Sequence, residues 1–342
     1  MKKILKKIIP FFVIAIVTGI VLYFSLKDNY EVILDIIVHI NKIWLIVAFL
    51  LFFMYYFLKS YVTKNFAREF NKNYSLKDAF RMTIETSFFH AVTPFATGGQ
   101  PYEVYSLTKH GINIIDATNV SIECFIVYQI ALVLLGAISI ICNHFLHILN
   151  GNLLKSFLTL GFFINFLVVV VLFWLTLSKK TEKNIIYKMI DLLGKLKIIK
   201  NQEKLKENLK KYLTKFNNGS KILLQNKKRF FSMILIQFFS LISLYLVPLA
   251  LFCGIGFYGI GGLVCILTMS YVMLIGSFVP IPGGTGGLEY SFVAFFGNFI
   301  QGAELNAIML LWRFITYYFA MILGAIVLNI KGGKKNESRN FY

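Results

Sequence analysis

Val279-Pro280-Ile281-Pro282-Gly283-Gly284-Thr285-Gly286-Gly287-Leu288-Glu289 interrupts an otherwise apolar stretch toward the C-terminal end of the chain. Two prolines and four glycines in eleven residues stop a helix from running through. Proline lacks the N–H that would pair with the preceding turn, and glycine loses the most backbone freedom on ordering. Thr93-Pro94-Phe95-Ala96-Thr97-Gly98-Gly99-Gln100-Pro101-Tyr102-Glu103 interrupts an earlier apolar region with the same residue types. At an offset of 186 residues Pro94 meets Pro280, Gly98 meets Gly284 and Glu103 meets Glu289. The same offset lays the apolar run 43–58 on 229–244 and 115–142 on the last run, so the chain reads as an internal repeat, 43–142 and 230–330.

Around the two breaks the composition is that of a membrane protein. Of 342 residues, 57% are hydrophobic and 15% charged, against about 25% charged in an ordinary globular domain. Too little polar surface remains to face water, which excludes a soluble enzyme, a disordered chain, a coiled coil and a disulfide scaffold. Lys and Arg number 35 against 16 acidic residues, a net charge of +19. This excess lies between apolar runs, where positive-inside bias and attraction to anionic lipid account for it without a nucleic-acid partner. Cys124, Cys142, Cys253 and Cys265 sit in or beside apolar runs with no Cys-x-x-Cys spacing and read as small buried hydrophobes.

A helical crossing needs about 20 apolar residues. Six runs approach that length: 8–26, 43–58, 115–142, 154–177, 230–252 and 306–330. The expected fold is an all-α polytopic membrane protein, one integral domain over 1–342. It has six full spans, and the broken regions 79–110 and 259–302 form re-entrant hairpins, or eight to ten crossings if the hairpins span. Lysines ahead of the first run, and Lys59, Lys64, Arg68, Lys72, Lys77 and Arg81 after the second, place the N-terminus and that loop inside. Residues 179–229 carry 16 basic and four acidic residues over a three/four apolar spacing, and read as a cytoplasmic arm of amphipathic helices on the inner leaflet. Residues 31–41 read as a short amphipathic helix on the outer surface, and 331–342 as a cytoplasmic tail. By this parity the chain enters the first break from inside and the second from outside. Inverted repeats whose broken helices meet near the midplane are the architecture of transporters.

An unwound segment survives in lipid only where protein or a polar cavity covers its N–H and C=O groups. Gly98, Gly99, Gly283, Gly284, Gly286 and Gly287 permit the turn, and Pro101 suits the first position of a new helix. Glu103 and Glu289 then fall in the first turn of a half-helix, whose free N–H groups favour an anion such as phosphate. The plainer reading is that each Glu only complements its own helix dipole. Ionisable residues inside apolar runs usually face a bundle interior or a pathway. Here they are Glu85, His90, Glu123 and Arg313, with Arg81 and Asp116 nearer the interface. A Glu123–Arg313 pair across the repeat axis is expected, in the pathway or as a structural tie between halves. Gly254-Ile255-Gly256-Phe257-Tyr258-Gly259 has dinucleotide-fingerprint spacing without the strand-to-helix setting. His144 and His147 have metal spacing without an acidic partner nearby. No catalytic, metal or cofactor motif is read.

The two breaks, with Lys109-His110-Gly111 after the first, resemble the membrane region of the bacterial lysylphosphatidylglycerol synthase (multiple peptide resistance factor) family, over about residues 8–330. The resemblance implies a flippase-like protein of the bacterial cytoplasmic membrane that moves an anionic or aminoacylated phospholipid, or a related lipid-linked head group, across it, as full-length members move aminoacylated phosphatidylglycerol to the outer leaflet. It implies a substrate site at Pro94, Gly98, Gly99, Gln100, Pro101, Glu103, Pro280, Pro282, Gly283, Gly284, Gly286, Gly287 and Glu289, and does not extend to His90 or Glu123. Full-length members carry a C-terminal cytosolic domain that transfers lysine from lysyl-tRNA to the lipid. This sequence runs a dozen residues past its last span, so the expectation is a stand-alone flippase-like form without that domain. The competing readings are a membrane-embedded lipid-modifying enzyme, such as a phosphatidylglycerol lysyltransferase, and a partner subunit of a separate lipid synthase.

Overall fold

A backbone crossing lipid has to satisfy its own N–H and C=O groups, and a helix does so within one segment. The computed structural model describes residues 30–146, 152–177, 225–276, 279 and 281–330, which hold helices and turns without a strand. The run 8–26, the arm 179–229 up to residue 224 and the tail 331–342 lie outside the described residues.

Helix α1 (Tyr30–His39) buries Ile33 and is followed by α2 (Lys42–Ala67), whose start is held by the Asn41 side chain accepting from the Ile43 N–H at 2.9 Å. The sequence reading ended this span at Leu58 and put Lys59 in a loop. The helix instead continues to Ala67, because no glycine or proline interrupts it and Ser60, Val62, Thr63, Phe66 and Ala67 are buried. The first broken region folds as α3 (Leu76–Ala91), a 3-10 turn at Pro94–Ala96 and α4 (Gly99–Lys109). A Ser75–Asp78 capping box starts α3. Two long helices follow, α5 (Ile114–Leu146) and α6 (Asn152–Leu177). Next, α7 (Lys227–Tyr245) steps at Leu246 into α8 (Val247–Gly254), where Pro248 withholds an N–H. The second broken region folds as α9 (Gly262–Gly276), a 3-10 turn at Pro282–Gly284 and α10 (Gly287–Phe296). The last span, expected over 306–330, runs unbroken from Gly302 to Asn329. It comprises α11 (Gly302–Arg313), a π-helical stretch Phe314–Phe319 and α12 (Ala320–Asn329).

Among the described residues four stretches are long and apolar enough to cross a membrane: Lys42–Ala67, Ile114–Phe145, Lys227–Gly254 and Gly302–Asn329. Shorter apolar helices cover Leu158–Leu172 and Gly262–Gly276. Along α2 the side chains of Ile43, Ile46, Leu50, Met54 and Phe57 recur every three or four residues and are all exposed. Leaving such a stripe in water costs about 25 cal/mol per Å², and lipid removes that cost. The molecule is a multi-pass membrane protein.

Small residues let the spans approach closely, the usual packing device in lipid. α7 runs antiparallel to α2, with Ser240 Oγ donating to the Tyr55 carbonyl at 3.1 Å and Ser243 Oγ to the Leu51 carbonyl at 2.7 Å. α12 lies against α3, where a Cβ on Gly324 would stand 2.7 Å from the Ile84 carbonyl oxygen. Arg81, expected near the interface, ties the same helices: it pairs with Glu85 at 2.8 Å and donates to the carbonyls of Val327 and Ile330.

The two 3-10 turns open with the same backbone. Thr93 and Ile281 are extended, and each precedes a proline and two left-handed residues. These are Phe95 (φ 52°) and Ala96 (φ 54°) in the first turn, and Gly283 (φ 66°) and Gly284 (φ 62°) in the second. Thr97 and Thr285 return their N–H groups to Pro94 and Pro282. Thr93–Ala96 therefore resembles Ile281–Gly284 at a spacing of 188, against 186 in the sequence, and the two diverge beyond, Thr97 being helical and Thr285 extended. The turn needs a proline directly before the left-handed pair, and Pro282 occupies that place.

A left-handed residue other than glycine carries strain of about 1–2 kcal/mol. Ala96→Gly is expected to raise stability by about 0.5–1 kcal/mol, the relieved strain less the extra freedom of glycine in the unfolded chain. Gly283→Ala is expected to lower it by about 2 kcal/mol or more. There φ is +66° and a Cβ would meet the Tyr317 ring at 2.1 Å. Thermal unfolding in detergent reads both.

Candidate functional site

The two turns touch each other, and a cavity of about 470 Å³ lies where the hairpins and spans converge. Its walls come from Tyr55, Tyr56 and Lys59 on α2, His90 on α3, Gln100 and Glu103 on α4, and Cys124, Tyr128 and Gln129 on α5. Gly283 and Gly284 of the second turn, and Arg313 and Tyr317 of the last span, close it.

Close contacts explain two of the glycines. A Cβ on Gly99 would fall 2.0 Å from the His90 ring, which lies across the start of α4 and pairs through Nδ1 with the Ala96 carbonyl. Gly283 gives way to the ring of Tyr317, whose hydroxyl donates to the Ala91 carbonyl at 3.0 Å. Tyr317 lies in the π-helical stretch, so this rare geometry places one side chain against both breaks. At the first turn the Gly98 N–H donates to Thr93 Oγ1 at 2.8 Å.

Glu289 does lie in the first turn of its half-helix and caps it, accepting from the Gly286 N–H at 2.7 Å. Its other oxygen stands 2.7 Å from Arg313 Nε, with both side chains buried, at 6% and 4% exposure. Arg313 Nη2 also donates to the Gly283 carbonyl at 3.1 Å and to Thr285 Oγ1 at 3.2 Å. The expected Glu123–Arg313 pair does not form, because Glu289 reaches Arg313 from the adjoining turn. Glu123 is fully buried, and neither carboxylate oxygen has a hydrogen-bond partner.

Glu103 differs from expectation too. α4 begins at Gly99, so Pro101 occupies its third position and Glu103 lies in its second turn. Rather than capping the helix, Glu103 accepts from the Ser121 hydroxyl at 2.7 Å and lines the cavity. Glu85 is held by Arg81 and by the Tyr102 hydroxyl at 2.6 Å, away from the cavity lining.

Of the residues singled out from sequence, Gln100, Glu103, Gly283, Gly284, His90 and Arg313 line the cavity. Pro94, Gly98, Gly99, Pro101, Pro282, Gly286, Gly287 and Glu289 build the turns and helix starts behind it. Pro280 lies outside the described residues. Lys59, Tyr55, Tyr56, Tyr128, Tyr317 and Ser121 were missed. Lys59 was findable: the segment after Leu58 has no helix breaker, so Lys59 belongs to the membrane helix, one turn beyond Tyr55 and Tyr56. Among the described residues no group of three His, Cys, Asp or Glu side chains is placed to hold a metal.

Breaking a buried ion pair by removing one partner costs about 3–5 kcal/mol, and Arg313→Leu is expected to lose that much. Glu123→Leu is expected to gain about 1–3 kcal/mol, since two unpartnered oxygens leave an apolar setting. Chemical or thermal unfolding in detergent measures both, and the opposite signs make the pair diagnostic.

A family model described as "Lysylphosphatidylglycerol synthase TM region" matches residues 11–324. A UPF0104 membrane protein of Archaeoglobus fulgidus is 24% identical over 303 residues, covering 86% of this chain and 88% of the relative.

Proposed function

This chain belongs to the lysylphosphatidylglycerol synthase TM region family, and on that premise we propose that it translocates an anionic or aminoacylated phospholipid across a membrane. The observation that carries the proposal is the meeting of two broken hairpins at one cavity inside a bundle of apolar spans. Unwound backbone at membrane depth is tolerated where it lines such a space. In transporters built from inverted repeats, the substrate sits between the breaks.

In this reading, repeat 43–142 and repeat 230–330 are inverted copies in one integral domain, a view supported by the turns opening alike at a spacing of 188. The lysine pattern supports cytoplasmic N- and C-termini and a bacterial cytoplasmic membrane as the setting. The basic arm 179–229 gathers anionic lipid at the inner surface, worth about 1 kcal/mol per lysine close to the membrane. The phosphate of the head group enters the cavity while the acyl chains stay in the bilayer. The turn residues Pro94, Gly98, Gly99, Pro101, Pro282, Gly286 and Glu289 keep the cavity open, and Gln100, Glu103, Gly283 and Gly284 meet the head group.

The test is translocation of tail-labelled phospholipids in vesicles reconstituted with the purified chain. Faster translocation than in protein-free vesicles is expected for at least one phospholipid, with a tenfold or larger loss for Gly99→Ala, whose Cβ collides with His90. Translocation no faster than in protein-free vesicles for every anionic and aminoacylated phospholipid overturns the proposal. Formation of a new lipid from lysyl-tRNA and phosphatidylglycerol by the same preparation points instead to an enzyme.

A further inference from the structure

An anion that enters the cavity upsets the charge balance of its lining. Arg313 and Glu289 neutralise each other at 2.7 Å, so this pair cancels with or without a ligand. Lys59 on α2 and Glu103 on α4 line the same cavity, and among the described residues neither belongs to an ion pair. Glu103 is the one acid among the described lining residues. It is buried, at 8% exposure, and its Oε2 accepts from the Ser121 hydroxyl. Its Oε1 takes no hydrogen bond and, unlike both oxygens of Glu123, is not sealed off in protein. The other titratable groups that face this space are neutral in their ordinary range or already engaged. They are Tyr55 and Tyr56 on α2, Cys124 and Tyr128 on α5, Tyr317 of the last span, and His90 on α3, whose Nδ1 pairs with the Ala96 carbonyl. Helices α6, α7 and α9 bring no ionisable side chain to the lining.

We infer that transport is proton-coupled: each anionic head group enters the cavity together with one proton, which is held on Glu103 Oε1. The inference rests on the reading above that a phospholipid head group occupies this cavity, and it supplies that reading with a driving force. The phosphate takes the Lys59 ammonium as its counter-ion, which leaves the Glu103 carboxylate facing a like charge. An uncompensated charge at membrane depth is costly. A proton on Oε1 removes it, while Oε2 goes on accepting from Ser121. No bond to the lipid forms or breaks. One lipid anion and one proton arrive together and leave together, so the step moves no net charge. A pH gradient then drives the lipid from the acidic side to the alkaline side.

Two measurements on the full chain test this. In weakly buffered detergent, binding of short-chain phosphatidylglycerol is followed by quenching of the cavity tryptophan Trp312 and proton uptake by an indicator dye. Uptake of about one proton per bound lipid is expected, and none for Glu103→Gln. In vesicles holding tail-labelled phosphatidylglycerol, a pH gradient is imposed while valinomycin and potassium hold the membrane potential at zero. One proton per lipid enriches the label on the alkaline side about tenfold for a gradient of about one pH unit. That enrichment is expected beyond protein-free vesicles, is abolished by a proton ionophore, and is kept by Glu103→Asp. Unfolding curves show whether each variant is folded. If Glu103→Gln is not, proton uptake and gradient dependence in the unmodified chain decide. Binding without proton uptake, uptake unchanged in Glu103→Gln, or label distribution blind to the gradient overturns the inference. So does translocation of other phospholipids that leaves phosphatidylglycerol behind. Translocation indifferent to pH defeats this inference alone, whereas proton uptake on binding without translocation of any phospholipid defeats the transport reading alone.

Discussion

A helix that stops inside a bilayer strands backbone N–H and C=O groups where no water can reach them, and the rest of this structure is organised around that cost. It stops twice here. Each break is covered partly by its own turn bonds, Thr97 to Pro94 and Thr285 to Pro282, and partly by the other break. The hairpins therefore depend on one another. Neither turn would keep its shape facing lipid, and their contact leaves a cavity whose walls include backbone as well as side chains.

The second break carries more of the holding structure. Arg313 reaches the Gly283 carbonyl and the Thr285 hydroxyl while neutralising Glu289, which itself caps α10. Four residues further, Tyr317 fills the space that the missing Cβ of Gly283 leaves, and it bonds Ala91 at the end of α3. A regular α-helix rotates successive side chains by about 100°. The π-helical stretch after Arg313 changes that phase, which is a physical reason for its position between the ion pair and the ring that bridges the breaks. The first break lacks an arginine and instead rests on His90 and on left-handed Phe95 and Ala96, residues that carry strain where the second turn has glycines.

A division of labour follows. Glu289 and Arg313, paired at the second turn, shape the cavity, whereas Lys59 and Glu103 line it and, among the described residues, belong to no ion pair. The two turns share the backbone of their first four residues but not their carboxylates, Glu289 capping its half-helix and Glu103 bonding Ser121. The site is thus asymmetric although the turns that frame it open alike.

Membrane class, most spans and both breaks were legible in the sequence because each depends on local chemistry. Apolar run length decides a crossing, and clustered proline and glycine decide a break. The helix at Tyr30–His39 followed for the same reason, whereas the step at Leu246, before Pro248, was not foreseen. What the sequence left open was who meets whom. Glu123 and Arg313 are brought near each other by the repeat arithmetic, yet Arg313 pairs with Glu289, because an ion pair depends on distances set by helix packing rather than by position in the chain. Lys59 read as a loop lysine because its charge outweighed the unbroken helix around it, and only the burial of Ser60, Val62 and Thr63 keeps it on the wall of the cavity. Which proline opens the second turn was also open in the sequence, where Pro280 and Pro282 lie two residues apart, and the turn forms at Pro282. Chain chemistry determined that two helices must break in the membrane. Packing decided that the breaks meet, since a stranded backbone finds its cover in whatever tertiary contact reaches it.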